Sequence, residues 1–261
     1  MTPGQLVKAV SIALDVPEET VVQHDRNLVV AGLRTKGGRG RSAPMVTPLD
    51  AARLLTATLA SIRTKDSVAS VNAFEQTVFE PPTTLGERIA EYRARGVTVP
   101  QGDEHQADDE EKFFDLAIMS LPKSHNFIEA LAALITHASG PLHAGELDQL
   151  KKRFAAVIIN CEMPYVSASI GRIGTAGSAR YRFHEPTSKP QAQKREPKLE
   201  KHDLYFKFYG IQQRRSVYGS AIMLLGRAFR EGGLSFGTTR EAMLDWSSPV
   251  AKSKRTLKKA S

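Results

Sequence analysis

The stretch AVSIALDVPEETVVQHDRNLVVAGL, Ala9–Leu33, decides how this chain is read. Val10, Ala13 and Leu14 continue a helical spacing begun at Leu6 and Val7, and Asp15-Val16-Pro17 breaks it. Glu18-Glu19-Thr20 then opens a second helix, with acidic residues where a first turn complements the helix dipole. A glycine stop is expected at Gly32. Upstream, Thr2 supplies an N-cap, Pro3 suits the first helical position, and Gln5 completes a capping box. Downstream, Leu33 to Thr47 changes to short extended pieces around Lys36-Gly37-Gly38-Arg39-Gly40-Arg41, a tight, exposed and basic hairpin tip. Thr47-Pro48 starts a third helix with Leu49, Ala52, Leu55 and Leu59 on one side. The unit reads helix, turn, helix, hairpin, helix.

In that order the first 60 or so residues resemble the winged helix-turn-helix DNA-binding transcription regulators. Pro17-Glu18-Glu19-Thr20-Val21 is similar to the start of a recognition helix in that family, and Ala31-Gly32-Leu33 to its exit into the wing. Met45-Val46-Thr47-Pro48, followed by Ala51-Ala52-Arg53-Leu54-Leu55, is similar to the return strand and the helix after it. The resemblance implies a recognition helix that enters a major groove about 12 Å wide. It also implies double-stranded DNA as the partner and a homodimer on a two-part site as one arrangement.

The residue chemistry agrees with that implication. Glu19, Thr20, Gln23, Arg26 and Asn27 are the candidate recognition-helix contacts: Gln and Asn pair bidentately with adenine edges, and Arg with guanine. Arg34, Lys36, Arg39 and Arg41 are the candidate wing contacts to phosphate or the minor groove, giving salt-sensitive, sequence-blind affinity. Two positions depart from the family pattern. Asp25 stands where a core leucine is usual, and Val22, Val29 and Val30 are apolar where exposed polar residues are usual. Either the helix is rotated, or its outer face packs on another helix or a second subunit. The customary helix before the motif is absent, which leaves Thr47–Ala60 to supply its packing.

Composition bounds the rest. With 36 Lys and Arg against 28 Asp and Glu, the net charge of +8 suits a polyanionic partner. The apolar fraction of 41% supports a real core. The single cysteine, Cys161, excludes an intrachain disulfide framework and fits a reducing compartment. No apolar run approaches the roughly 20 residues that span a bilayer, and no signal-peptide pattern opens the chain. A cytoplasmic, nucleoid-associated protein is expected.

Beyond residue 62 the reading is coarser. A connector with an acidic run covers 63–110, including a helix over Ser67–Phe79 stopped by Pro81-Pro82. A second α+β unit covers 111–250, with helices near Phe113–Met119, Phe127–His137 and Glu146–Ala155. Within it, Tyr165–Ile173 and Ala179–His184 alternate as a β-hairpin, with Val166, Ala168 and Ile170 on one face. Residues 186–200 read as a flexible loop, Tyr205–Arg230 as a long apolar helix, and 251–261 as a basic disordered tail. The apolar helix over Val217–Phe229 is the candidate dimer face. The expected fold is α+β and mostly helical: an N-terminal winged helix-turn-helix plus a C-terminal helical unit with a small β-hairpin.

Signals for other chemistry are weak. Gly171-x-x-Gly174-x-x-Gly177 lacks the Lys-Ser/Thr ending of a phosphate loop and reads as a hairpin turn, although Arg172, Arg180 and Arg182 beside it can form a second basic surface. His137 and His143 lack metal-ligand spacing. Cys161 has no positioned base and reads as buried and structural. Tyr205, Phe206, Phe208 and Tyr209 read as core rather than a stacking platform. No catalytic residues, metal ligands or cofactor are therefore assigned, and the chain is read as a non-enzyme. A DNA-maintenance accessory in replication, partition or packaging is the alternative, as is a winged-helix protein-interaction scaffold. The operator, any small-molecule effector and the sign of regulation are not legible.

Overall fold

The computed structural model describes residues 1–36, 45–81, 94, 117–141, 146–163, 166–172, 178–183 and 213–233. Its first helix, α1 (Pro3–Leu14), starts as its sequence dictates. Thr2 N–H donates to Gln5 Oε1 at 2.8 Å while Gln5 N–H donates to Thr2 Oγ1 at 3.4 Å, with Pro3 at the first helical position. Asp15 ends α1 in the left-handed conformation at φ +56°, and both Asp15 and Val16 N–H return to the Ser11 carbonyl. Asp tolerates that conformation better than most side chains. The three residues Asp15–Pro17 then lead directly into α2 (Glu18–Val30).

Helix α2 ends in a Schellman motif. Gly32 adopts φ +74°, its N–H donates to the Val29 carbonyl at 3.1 Å, and Leu33 N–H donates to the Leu28 carbonyl at 2.9 Å. Helix α3 (Pro48–Ala60) follows, and ten of its thirteen residues are buried. It therefore lacks the one-sided pattern expected from Leu49, Ala52, Leu55 and Leu59. A helix apolar on all sides belongs inside a core.

Helix α4 (Ser67–Glu75) is shorter than the helix expected to Phe79, because Thr77–Glu80 form strand β1 instead. Next come α5 (Phe127–Ser139), α6 (Glu146–Ala155), β2 (Val157–Met163), β3 (Ser167–Arg172), β4 (Ser178–Phe183), β5 (Gln213–Tyr218) and α7 (Gly219–Arg230). The strands form one antiparallel sheet in the order β1-β4-β3-β2-β5. The expected hairpin is β3–β4, with Val166, Ala168 and Ile170 all buried as its alternation requires. The expected long helix over Tyr205–Arg230 is corrected: Gln213–Tyr218 pair with β2 as an edge strand, and the helix begins only at Gly219. The segments 82–93, 95–116, 184–212 and 234–261, with the acidic run, flexible loop, aromatic cluster and basic tail assigned to them, lie outside the described residues.

No break in the core falls at residue 62. Helix α1 packs on α7, and α3 on α5. One apolar cluster runs from Leu6 through Leu54 and Leu55 to Leu131, Leu134, Ile222 and Leu225. Each fully buried leucine contributes about 1.5–3 kcal/mol. Residues Ala221–Ala228 of α7 are all buried, six of them in this cluster, so the helix expected to form a dimer face is used within the monomer. A polar bond also ties the halves together. The Arg215 guanidinium on β5 donates to the Thr58 and Ser61 carbonyls, at 3.2 and 3.1 Å, at the C-terminal end of α3. A cation there complements the helix dipole.

Beneath β1 and β4, Phe74, Phe79, Phe127, His125 and Tyr181 pack ring against ring. The Pro122 carbonyl can only accept, so His125 Nδ1–H donates to it at 2.6 Å. His125 Nε2 then accepts from the Tyr181 hydroxyl at 3.0 Å. Burial pushes the Tyr181 phenol well above its ordinary pKa, keeping it a donor.

A close helix–helix contact gives a prediction. A Cβ on Gly226 would lie 2.5 Å from the Ala138 carbonyl carbon, whereas one on Gly4 in α1 would meet nothing within 4 Å. Gly226→Ala should destabilise the fold by about 1–3 kcal/mol in urea denaturation. Gly4→Ala should be neutral or stabilise by up to about 1 kcal/mol. Equal effects of the two variants would contradict the close α5–α7 approach.

Candidate nucleic-acid interface

Spacing along α2 sorts its residues cleanly. Val21, His24, Asp25 and Leu28 are buried, while Glu19, Gln23, Arg26 and Val30 form an exposed stripe on the opposite side. Thr20 and Asn27 flank that stripe and are half-buried. Asn27 Nδ2 donates to the Thr64 carbonyl at 2.7 Å, which commits one of its donors to the short 3-10 turn Thr64–Asp66. Of the five expected helix contacts, Glu19, Gln23 and Arg26 are therefore open to a ligand, and Thr20 and Asn27 only in part. Beside Asn27, Lys65 is exposed, while exposed Arg63 pairs with the Asp66 carboxylate at 3.2 Å.

Asp25 is buried, at 8% exposure, so the helix is not rotated to expose it. The expected wing cation Arg34 is its partner. At 5% exposure, Arg34 donates to Asp25 Oδ2 at 2.6 Å, places its Nε against the other carboxylate oxygen, and reaches the Thr35 carbonyl at 2.8 Å. Arg34 is therefore corrected from the solvent-facing set: a charge this deep stays only when paired. Burial raises the Asp25 pKa against the opposing pull of Arg34, and the nearby Asp50 carboxylate adds to the rise.

The other apolar positions of α2 take separate places. Val22 packs against the core and Val29 is half-buried, while Val30 stands 86% exposed at the helix end. Helix α3 packs on both α1 and α2, the packing expected of Thr47–Ala60.

Lys36 is exposed at the start of the basic segment, and Arg39 and Arg41 lie outside the described residues. The roots of that segment carry residues not anticipated in the sequence. Asp50, at 3% exposure, accepts from Thr35 N–H at 2.9 Å and from Thr47 N–H at 2.7 Å, with both threonine hydroxyls also donating to it. Burial alone would raise the Asp50 pKa, but these bonds hold it below the usual carboxylate value. Arg53 reaches the Leu33 carbonyl at 2.9 Å and Glu75 at 2.7 Å. The signal for Asp50 was the Thr47-x-x-Asp50 capping-box spacing at the helix start.

On the inner side of α2, His24 Nδ1 meets Ser67 Oγ at 2.7 Å, and the Ser67 hydroxyl donates on to the Thr64 carbonyl. Burial first, and the Arg215 charge second, lower the His24 pKa to about 4, so the ring is neutral at pH 7.

Elsewhere the alternatives stay weak. On the sheet, Arg180 and Arg182 are exposed, but Arg182 and Arg214 each lie near a carboxylate, Glu80 at 3.5 Å and Glu162 at 3.6 Å. The Arg172 side chain, Gly174, Gly177 and His143 lie outside the described residues. Cys161 is buried and its thiol is pushed up to about 12, as expected of a structural cysteine. Among the described residues, no group of three or more His, Cys, Asp or Glu could hold a metal ion, and no helix is long and apolar enough to cross a membrane. No family model, curated protein or solved structure matches the chain.

Two predictions follow from the buried groups of α2. Arg34→Met should cost about 3–5 kcal/mol, because it strands the Asp25 carboxylate. The double variant Asp25→Leu/Arg34→Met should return to within about 1 kcal/mol of the parent or exceed it. A double variant as unstable as the single one in urea denaturation would show that the pair itself is stabilising. For His24, the unfolded chain binds a proton between pH 6.5 and about 4 that the folded chain resists. Its contribution to stability is therefore complete above pH 6.5 and is lost as pH falls through that window. His24→Gln should flatten that part of the stability–pH curve by on the order of 3 kcal/mol. An unchanged slope would refute the assignment.

Proposed function

We propose that the chain is a sequence-specific, DNA-binding transcription regulator that acts by occupying an operator, without covalent chemistry. The reading rests on one observation: Glu19, Gln23 and Arg26 form an exposed polar stripe on a helix held to its partner by a three-residue turn. This is the geometry that lets a second helix enter a major groove while the first crosses the backbone. The basic segment that follows, with Lys36, Arg39 and Arg41 and no acidic residue between Arg34 and Leu49, adds cations that suit phosphate. In this reading it serves as the wing, and the two elements divide the work between base edges and backbone.

A second reading, a protein-interaction scaffold, draws on Val30. An apolar side chain 86% exposed on the same stripe suits a protein partner better than phosphate. Glu19 on that face also opposes a polyanion.

A binding titration on genomic duplex fragments, run between about 50 and 200 mM salt, separates the two. Arg39→Ala with Arg41→Ala should weaken binding to every fragment and make the salt slope shallower by about 2, with selectivity kept. Gln23→Ala should change preference at one base pair, by about 1–3 kcal/mol, with the slope kept. A bound fragment at a promoter supports regulation, while one at an origin or partition site assigns the same interface to DNA maintenance. Absence of duplex binding at both salt concentrations would leave the scaffold reading.

A further inference from the structure

The Thr64 carbonyl is where α2 grips a segment 37 residues downstream of Asn27. Asn27 Nδ2 donates to that oxygen at 2.7 Å. The Ser67 hydroxyl donates to it as well, and its own oxygen meets His24 Nδ1 at 2.7 Å. His24 and Asn27 stand three residues apart on one side of α2, so two of its side chains hold one peptide group of the 3-10 turn Thr64–Asp66.

The turn is also closed on itself. Asp66 N–H donates to the Arg63 carbonyl at 2.9 Å, and the buried Asp66 carboxylate takes the Arg63 guanidinium at 3.2 Å. Helix α4 begins at once, at Ser67. The main chain at Lys65 is therefore fixed on both sides. Its side chain is exposed and, among the described residues, meets no carboxylate. The charge of Arg63 is offset, and that of Lys65 is not.

Helix geometry says what Lys65 would meet. At about 100° per residue, Asn27 lies roughly a quarter-turn from the stripe of Glu19, Gln23, Arg26 and Val30. It also lies about 12 Å along the axis from Glu19, at about 1.5 Å per residue, well clear of the acids in the first turn. A helix with its side chains is about 10–12 Å across, close to the roughly 12 Å width of a major groove. With the stripe at the base edges, an element held a quarter-turn away faces the wall of the groove, which is sugar and phosphate.

We infer that Lys65 makes a phosphate contact beside the reading stripe, and that Asn27 is the positioning residue that holds its turn there. Asn27 then acts through Lys65 and reads no base. This rests on the DNA-binding reading above.

The test is a set of titrations of the full chain between about 50 and 200 mM salt, with the tightest-bound genomic fragment and a mixed-sequence duplex as probes. Lys65→Ala should weaken binding to both probes about fivefold near 150 mM salt and make the slope shallower by about 1, with preference kept within about threefold. Lys65→Arg keeps the charge and should keep the slope. A parental slope in Lys65→Ala overturns the contact, and so does an equal loss of slope in Lys65→Arg.

Asn27→Ala should likewise make the slope shallower with preference kept. Added to Lys65→Ala, it should change the slope no further, because only the lysine touches DNA. Altered preference at one base pair would make Asn27 a base reader, and a further loss of slope in the double variant would give it a contact of its own. Either result overturns the positioning role, as does a parental slope in the single variant. Should Asn27→Ala fail to fold, Asn27→Leu, which fills the same space without a donor, is read in the same way. A parent that binds duplex while Lys65→Ala keeps the parental slope leaves the DNA reading standing and removes this inference alone. A parent that binds no duplex removes both.

Discussion

Burial of α3 on nearly every side is the constraint on which the rest of the molecule depends. Its small residues, Ala51, Ala52, Ala57 and Ala60, allow close approach, while Leu54, Leu55 and Leu59 fill the space between neighbours. Helices α1, α2, α4 and α5 and strands β2 and β5 all touch it. Polar needs at its ends are met by residues distant in sequence: Asp50 joins its first turn to Thr35, and Arg215 closes its last turn from the sheet. An interior helix with unpaired termini would be costly, since buried main-chain groups need partners.

The positive charge of the chain is divided between two duties. Arg34, Arg53, Arg215, Arg227 and Arg230 face carboxylates or helix-end carbonyls of the protein itself. Their guanidinium groups suit this work, because a planar fork can satisfy several acceptors at once. Net charge alone therefore overstates the basicity available to a partner. What counts is the subset that stays exposed, Arg26 on α2 with Lys36 and Lys65, together with the cations Arg39 and Arg41 that follow Lys36 in sequence.

Local chemistry made the N-terminal helices legible. Thr2-Pro3-x-Gln5 and Thr47-Pro48 mark starts, Gly32 marks a stop, and the 3.6-residue period separates Gln23 and Arg26 from Val21 and Leu28. The β3–β4 hairpin showed itself by alternation. Three strands did not. Strand β1 has only four residues, too few for a period to emerge. Val157–Met163 is a nearly continuous apolar run, which periodicity alone does not assign to strand or helix. Strand β5 passes into α7 at Tyr218 with no side-chain cap, so nothing punctuates the boundary. In the site, Arg34 was read as a surface cation because it follows a glycine stop. The cue to its burial was Asp25, a carboxylate at a core position that required a counter-charge.

The continuous core has a consequence for how this architecture can be divided. A unit of three helices is often pictured as a cassette, transferable between proteins by cutting its linker. Here Leu6, Leu54 and Leu55 sit in the same apolar cluster as Leu131, Leu134, Ile222 and Leu225. Lifted out at residue 62, the trio would carry raw hydrocarbon surface into water and lose the guanidinium that seals α3. Its helices and the sheet are parts of one core, and a cut at that point divides it.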